Sequence, residues 1–324
     1  MTYDLCVLGN DEAALELAFV AARHGQNVLS ILPEQRHSAW MMSQALEHLV
    51  GNLLADMSEA RRRQLRRNGS PRLVQRLLAN SLTSEMSDHV AALENAGADV
   101  SIGEVRFQNA DALVLTNGAY GRRSLVRASN IVIGMGVRRT AVHRPLGLVP
   151  FHRPESLLFG SELPTSLCIL GGGGLGAGLA SVFSLFGTQV RYLSDLDSCD
   201  SMLNLAEDAG VVVASHPAEL GLSMDQPFAL NQGDIVDCRR SEGFSDHLGL
   251  SSIGIEPDEH GLLWCSSSLE TWTPGVFGIG EVIGFSSGVS QHPTDQAMRI
   301  LNRMTHRIRR PHFLRTRTSS WAMV

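Results

Sequence analysis

The chain has 324 residues, 44% of them apolar and 19% charged, which is typical of a globular protein of about two domains. Its formal net charge of −6 argues against general nucleic-acid binding, and no apolar stretch approaches the roughly 20 residues of a membrane span. The N-terminus has no basic segment followed by a signal-type apolar run, so we expect a cytoplasmic protein.

The first predicted unit is a strand, a helix and a second strand within about thirty residues. The apolar run YDLCVLG ends at Gly9, residues 12–24 have helical spacing, and NVLSIL (27–32) is strand-like. This βαβ order is that of a dinucleotide-binding fold. However, Gly9 is followed by Asn10 and Asp11, where a phosphate loop needs small, uncharged residues.

Residues 40–95 are predicted to be mostly helical, and several short strands follow. The basic stretch EARRRQLRRNG (59–69) is interpreted as a solvated helix face, with nucleic-acid binding as the weaker alternative. Strand-like segments occur at DVSIGEVRF, ALVLTN and SNIVIGMG, the last ending at Gly136.

A second βαβ unit occupies residues 166–194, with SLCILG as strand, 175–186 as helix and TQVRYLS as strand. Between strand and helix, Gly171, Gly173 and Gly176 fit the template G-x-G-x-x-G. In that template the glycines give a tight turn, close approach of backbone N–H groups to a pyrophosphate, and close packing of helix on strand.

This glycine loop predicts binding of NAD or NADP, and the alternative is a glycine-rich turn without a ligand. The end of the following strand normally distinguishes the two cofactors through an acid that binds the ribose. Ser194 stands there with Asp195 next to it, so the choice between NAD and NADP stays open.

The residue composition identifies no catalytic side chain and no metal site. The five cysteines have neither redox-disulfide nor zinc spacing, and all 27 basic residues are arginines, which excludes a catalytic lysine. A helix is predicted from about residue 294 to residue 307.

The chain resembles the two-dinucleotide-binding flavoprotein reductases of the pyridine nucleotide-disulfide oxidoreductase type. The resemblance rests on the two βαβ units and on two further segments, PGVFGIGEVIGF (274–285) and NIVIGMGVRR (130–139). Within them the likeness is to the soluble pyridine nucleotide transhydrogenases. The resemblance implies FAD in the first domain, next to Gly9, Gly136, Gly280 and Glu281, and NAD(P) in the second.

The implied fold class is α/β, with two Rossmann-like domains, the NAD(P) domain being inserted into the FAD-type domain. The predicted ranges are 1–155 and 246–310 for the FAD-type domain, 156–245 for the NAD(P) domain and 311–324 for a basic tail. The family's dimerisation domain has no counterpart in the sequence, so we expect a monomer or a differently built dimer.

Several departures from the family concern the flavin site. Asp11 stands at the second glycine position, and Leu32 replaces the acid at the end of the second strand, with Glu34 two residues on as a displaced alternative. Gln44 stands at the family's lysine position beside a lost redox-cysteine segment, and Glu281 replaces the usual aspartate. Two functions follow. One is an FAD-dependent NAD(P)H oxidoreductase with a weakened flavin site. The other is a catalytically silent NAD(P) binder acting as a redox sensor or partner subunit.

Overall fold

A computed structural model describes most of the chain. It covers residues 2–34, 36–55, 58–117, 121–140, 151–152, 154–158, 161–194, 200–216, 219, 234–286, 288, 290 and 292–308. Across these ranges, no helix combines the length and the apolar character needed to cross a membrane.

The described chain forms sixteen strands and eight α-helices. The strands are β1 Thr2–Leu8, β2 Val28–Leu32, β3 Asp99–Ile102, β4 Glu104–Asn109, β5 Ala112–Asn117, β6 Arg122–Ile133, β7 Val137–Thr140, β8 Phe151–His152, β9 Ser166–Leu170, β10 Gln189–Leu193, β11 Val212–Ala214, β12 Asp234–Asp237, β13 Arg240–Gly243, β14 Leu263–Trp264, β15 Val276–Gly278 and β16 Ile283–Phe285. The helices are α1 Glu12–Arg23, α2 Ala39–Ala55, α3 Glu59–Asn68, α4 Pro71–Ala96, α5 Pro154–Leu158, α6 Gly173–Leu185, α7 Asp200–Asp208 and α8 Pro293–Ile308.

The first sheet carries the N-terminal βαβ unit. Its order is β3-β2-β1-β6-β5-β4, and β15 also pairs with β6. Strands β1, β2, β3 and β15 run parallel to their neighbours, while β4, β5 and β6 form an antiparallel meander. β1 lies buried at the centre of the parallel part. Helix α1 packs on one of its faces, and the apolar residues of the meander cluster with those of its other face. Its carboxyl end therefore meets those of β2, β6 and β15 at one edge.

The second sheet is parallel throughout its paired strands and has the order β11-β10-β9-β12-β8. Helix α6 packs on it and is almost completely buried, with Phe183 and Leu179 among its core residues. β8 lies before residue 156, so the second sheet begins slightly upstream of the predicted domain range. The range itself stays a prediction.

Two strands connect the sheets. β7 leaves the first sheet, β13 returns from the second, and they pair antiparallel with Arg138 opposite Glu242. The first sheet is thus completed by β15, a strand that lies after the second sheet in sequence. This is the inserted arrangement predicted from the sequence.

Helix α2 joins the two halves on a different side. Its Leu46 packs against Gly178 of α6, where an added Cβ would lie 2.7 Å from the Cβ of Leu46. A Cβ on Gly174 would overlap the hydroxyl oxygen of Ser43, also in α2. The small residues on α6 thus allow α2 to approach closely.

The predicted element bounds need small corrections. The second-unit helix begins at Gly173 rather than residue 175, because the loop glycines already enter the first helical turn. The following strand ends at Leu193, α1 ends at Arg23, and α8 runs from Pro293 to Ile308. The basic stretch forms α3, which has no buried residue. The tail 311–324 lies outside the described residues.

Candidate functional site

The glycine loop of the second unit leads directly from β9 into α6. Its first residue, Gly171, donates its N–H to the carbonyl of Leu193 at 2.8 Å, which ties the loop to the neighbouring strand. A Cβ on Gly176 would overlap the carbonyl oxygen of Gly171. Helix and strand therefore meet in the close packing that the third glycine of the template permits.

Two neighbouring side chains fix this loop, and the sequence analysis identified neither. The buried hydroxyl of Tyr192 in β10 donates to the carbonyl of Gly173 at 3.1 Å. Cys238, which follows β12, packs so closely on Gly172 that a Cβ there would overlap its own Cβ. Gly172 has φ +89°, a conformation that costs glycine little.

A charged pair lies beside the same loop at the end of β12. Asp237 is fully buried and accepts two bonds from the guanidinium of Arg239, at 2.9 Å from Nε and 2.8 Å from a terminal nitrogen. These bonds raise the pKa of Arg239, so the guanidinium is a permanent cation next to the loop. A nearby cation suits an anionic ligand.

Ser194 lies at the end of β10, as predicted. Its hydroxyl donates to the carbonyl of Ala214 in β11 at 3.1 Å, and its N–H bonds to the same carbonyl at 2.8 Å. The hydroxyl hydrogen is therefore used within the sheet, while its lone pairs are left for a donor. Asp195 lies outside the described residues, and the choice between NAD and NADP remains open.

The loop of the first unit also begins with a close approach. Gly9 has φ +117°, and a Cβ there would overlap the carbonyl group of Gly134 at the end of β6. The N–H of Asp11 reaches that same carbonyl at 3.3 Å. The carboxyl ends of strands β1 and β6 are thus held together at the point where α1 begins.

The carboxylate of Asp11 points into the loop. One of its oxygens, Oδ2, accepts the N–H of Glu281 at 3.0 Å, and the side chain is buried, with the residue 2% exposed. A Cβ on Gly280 would overlap Oδ2, and one on Gly136 would lie 3.2 Å from Oδ1. The predicted residues Gly136, Gly280 and Glu281 therefore surround Asp11.

This burial changes the acidity of the carboxyl group. Burial first, and then the nearby carboxylates of Glu281 and Glu12, raise the pKa of Asp11 to about 7, although the N–H groups of Glu281 and Glu12 act in the opposite direction. Desolvation dominates because a charge in a poorly hydrated place is unfavourable even when hydrogen-bonded. Near neutral pH the group exists in both protonation states.

Asn10 fastens the loop to the start of α2. Its side-chain oxygen accepts the N–H of Ser38 at 3.1 Å, its carbonyl accepts the hydroxyl of Ser38 at 3.2 Å, and its amide nitrogen is 3.3 Å from Nδ1 of His37. Burial lowers the pKa of His37, so the imidazole is neutral and able to accept. Ser38 in turn accepts the N–H of Met41, in the first turn of α2.

The segment after β15 supplies the other side of the first loop. The N–H of Gly280 donates to the side-chain oxygen of Gln296 at 2.8 Å, and Glu281 extends towards Arg139, whose guanidinium nitrogen lies 3.9 Å from Oε1. Gln296 and Arg139 were not identified from the sequence. Their contacts join segments that are far apart in the sequence, and no local sequence pattern predicts such contacts.

Two cavities each have a lining residue that contacts the first loop. One of about 550 Å³ lies between the end of β2 and helix α4, with Glu34 and His37 on one side and a row of α4 residues on the other. The other, of about 350 Å³, is lined by Gly280, Glu281, Gln296 and neighbouring residues. His37 contacts Asn10, and Glu281 contacts Asp11.

The structure thus groups the predicted residues into two sites. Gly9, Gly136, Gly280 and Glu281 come together around α1, and Gly171, Gly173, Gly176 and Ser194 come together around α6. Among the described residues no group of three or more His, Cys, Asp or Glu side chains is arranged to hold a metal ion. The four described cysteines are buried and unbridged.

Comparison with known proteins gives a family match over most of the chain. The profile of the family described as pyridine nucleotide-disulphide oxidoreductase matches residues 3–223. Soluble pyridine nucleotide transhydrogenase of Hahella chejuensis is 27% identical over 318 residues, covering 88% of this chain and 67% of that protein. Its counterpart from Pseudomonas putida KT2440 is 26% identical over 321 residues, with the same shares.

Solved structures support the same fold. The Cu(II) complex of the HOCl-induced flavoprotein disulfide reductase RclA from Escherichia coli superposes with a TM-score of 0.60, at 20% identity, over 94% of this chain and 71% of that chain. At this identity the likeness concerns the fold. Together the matches confirm the predicted resemblance, the α/β fold class of two dinucleotide-binding units and, from the family, an oxidoreductase class that uses FAD and NAD(P).

Proposed function

Because the chain belongs to the pyridine nucleotide-disulphide oxidoreductase family, we propose that it is an FAD-dependent NAD(P)H oxidoreductase resembling soluble pyridine nucleotide transhydrogenase. The observation that carries this proposal is the pair of strand–loop–helix sites on one chain, each at the carboxyl edge of parallel strands. Such edges are where dinucleotides bind in this fold class.

The second loop is the proposed site for NAD(H) or NADP(H). Gly171, Gly173 and Gly176 allow a pyrophosphate to approach the N-terminus of α6, where the helix dipole favours an anion. At the end of the neighbouring strand β12, Arg239 forms an ion pair with the buried carboxylate of Asp237. Ser194 at the end of β10 can accept a hydrogen bond from a ribose hydroxyl as it stands, whereas donation to a phosphate would require its hydroxyl to turn away from the carbonyl of Ala214.

The first loop is the proposed flavin site. Gly9 and Gly136 allow close approach of the backbone, and Glu281 brings a further N–H group to the N-terminus of α1. A polar cavity lined by Gly280, Glu281 and Gln296 lies next to this loop. The residues therefore fit FAD except at the position of Asp11, whose carboxylate fills the place of the phosphate.

When bound, the flavin would supply the hydride chemistry, which requires no nucleophilic side chain from the protein. The chain's own residues bind and orient. The two loops hold the dinucleotides, and Glu281, restrained by Arg139, lies at the edge of the polar cavity beside the first loop. This is consistent with the absence of any catalytic side chain assigned from the sequence.

The test is a spectrum followed by an assay. We expect the purified chain to bind added FAD, to show the flavin absorption bands, and to transfer reducing equivalents from NADPH to an NAD⁺ analogue with a distinct absorbance. Binding of NAD(H) by calorimetry with no flavin binding under any condition would contradict the proposal.

That outcome would favour the second candidate, a catalytically silent NAD(P) binder acting as sensor or partner subunit. The specific observation in its favour is the buried carboxylate of Asp11 in the first loop. The second loop has no comparable obstruction among its described residues. The two candidates therefore share the NAD(P) site and differ in the flavin site.

A further inference from the structure

A third cavity, of about 200 Å³, takes its walls from both units of the chain. It is lined by residues of α2, α4 and α5, of β7, and of the first turn of α6. We call it the junction cavity. Its apolar walls include the side chains of Met42, Leu78, Leu158, Leu175 and Phe244.

The volume and the apolar walls of the junction cavity suit a ring-sized molecule. Cavities of roughly 150 Å³ that are lined by leucine, isoleucine and phenylalanine bind benzene. The junction cavity is larger, so it has room for a ring that carries one small polar substituent. The polar groups of the wall determine which substituent is favoured.

Arg139 of β7 brings an unused hydrogen-bonding edge to this wall. Its Nε is buried and has no hydrogen-bond partner among the described residues. Nη1 donates to the hydroxyl of Ser241 at 2.7 Å, whereas Nη2 lies 3.9 Å from Oε1 of Glu281, which is too long for a hydrogen bond. The edge formed by Nε and Nη2 therefore has donors without acceptors.

A carboxylate is the group that satisfies such an edge best. A buried N–H group that has lost its hydration and gained no acceptor is unfavourable. The Nε and Nη2 hydrogens of a guanidinium are parallel donors, and their spacing matches the two oxygens of one carboxylate. Arg139 thus favours an anionic substituent with two coplanar oxygens.

The neighbouring arginine already has its partners. Nε of Arg138 donates to Oε2 of Glu242 at 3.4 Å, and another of its nitrogens lies 3.6 Å from Asp246. Its guanidinium carbon lies 5.4 Å from the centre of the Phe244 ring. Arg138 is therefore compensated by two carboxylates and an aromatic ring, and it leaves the binding of an anion to Arg139.

The remaining charges of the wall favour the same assignment. None of the described residues that line the junction cavity is an aspartate or a glutamate, so no lining carboxylate repels an anion. Burial lowers the pKa of the lining residue His37, so its imidazole is neutral and adds no second cation. One guanidinium edge among apolar side chains fits one negative charge on an apolar body.

We propose that the junction cavity binds an aromatic monocarboxylate, with the carboxylate on the Nε edge of Arg139 and the ring between the apolar side chains. This site goes beyond the proposed oxidoreductase function, because it requires neither dinucleotide. Inorganic phosphate is a poorer ligand, since apolar walls cannot replace the hydration of its higher charge. Acetate is poorer because it buries too little apolar surface.

The experiment is a calorimetric titration of the full-length chain with benzoate, without any dinucleotide, because Leu175 of the second loop is part of the wall. We expect one benzoate per chain, bound about tenfold or more tighter than acetate, inorganic phosphate or benzyl alcohol. Benzyl alcohol keeps the ring without the charge, and acetate keeps the charge without the ring. Absence of benzoate binding, or equal affinity for benzoate and any of the other three, would overturn the proposal.

Two matched lysine variants locate the carboxylate. Arg139→Lys keeps the positive charge but removes the paired donors of the Nε edge, so benzoate should bind about tenfold more weakly. Arg138→Lys keeps the positive charge beside Glu242 and Asp246 and should leave the affinity nearly unchanged. Equal losses in the two variants, or no loss in Arg139→Lys, would contradict the role of Arg139.

A pair of variants at Met42 locates the ring. Met42→Trp places a larger, rigid side chain in the wall and should weaken benzoate binding about tenfold, whereas Met42→Leu conserves the volume and should keep the parent's affinity. Circular dichroism checks that both variants are folded. Parental affinity in a folded Met42→Trp would place benzoate outside the junction cavity. None of these outcomes bears on the flavin proposal, because no dinucleotide takes part.

Discussion

The two dinucleotide-type loops of this chain share one architecture and differ in what fills them. Each follows a buried parallel strand and opens a helix, and each begins with a glycine at positive φ, +117° for Gly9 and +59° for Gly171. In the loop before α6 the following residues are also glycines, whereas in the loop before α1 the corresponding space is filled by the side chain of Asp11. The comparison shows that a Rossmann-type scaffold tolerates a charged residue in its phosphate position provided that the protein supplies hydrogen bonds to it.

The largest expected effect comes from copying the first loop into the second. Gly173→Asp should weaken NAD(H) binding by roughly a thousandfold, because two charges about 4 Å apart near a surface repel by roughly 4 kcal/mol. Isothermal calorimetry measures the change. Gly173→Asn is the matched control, since asparagine has the same shape and equally tolerates the positive φ of 55° at this position. Equal losses of NAD(H) affinity in both variants would show that the volume of the added side chain, rather than its charge, weakens binding.

The reverse comparison removes the charge from the first loop. The pKa of Asp11 is about 7 in the folded chain against an ordinary 3.8, so its stabilising contribution is complete below pH 3.8 and is lost as the pH rises through 7. Between pH 5 and pH 8 the parent should lose roughly 2 to 3 kcal/mol relative to Asp11→Asn.

Urea unfolding of both proteins at the two pH values measures this difference. The other titrating groups are common to both chains and cancel in the comparison. A stability difference that stays constant from pH 5 to pH 8 would contradict the raised pKa.

The helix packing of the second loop gives a smaller effect. Gly176→Ala places a methyl group on the carbonyl oxygen of Gly171 and should lower the free energy of unfolding by about 1 to 3 kcal/mol. Gly51→Ala in α2 is the control, because a Cβ there meets nothing within 4 Å and should stabilise the helix by about 0.5 to 1 kcal/mol. Destabilisation of equal size in both variants would rule out the packing explanation.

The smallest effect is expected at the ion pair beside the first loop. Glu281 is about half exposed and 3.9 Å from Arg139, so Glu281→Gln should change the free energy of unfolding by less than about 1 kcal/mol. It should nevertheless lower the pKa of Asp11, since Glu281 is one of the groups that raise it. The pH dependence of unfolding measures the second effect, and an unchanged midpoint would contradict it.

Local signals in the sequence were sufficient for both βαβ units. The apolar runs before Gly9 and Gly171 and the helical spacing after them predicted α1 and α6 to within two residues. The glycine spacing predicted the residues of the second loop, whereas Gly136, Gly280 and Glu281 were assigned to the first loop only through the family resemblance. The βαβ units could be predicted because hydrophobic periodicity and turn residues are signals that extend over only a few neighbouring residues.

The contacts that define the filled loop could not be predicted in this way. Asp11 and Glu281 are 270 positions apart, and Asn10 and Ser38 are 28 apart. The sequence does not determine whether Asp11 points into the loop, because its hydrogen-bond partner, the N–H of Glu281, comes from a segment beyond the second sheet. Gln296 and Tyr192 were missed for the same reason.

The position of α2 makes the two loops mechanically dependent on one another. Asn10 holds Ser38, Ser38 caps α2, and α2 rests on Gly174 and Gly178 with no space for an added methyl group. α2 thus connects the first loop to the helix that the second loop opens. If a ligand in the first loop changes the affinity of the second loop through α2, a ligand in the second loop must change the affinity of the first by the same factor, because coupling free energies are reciprocal.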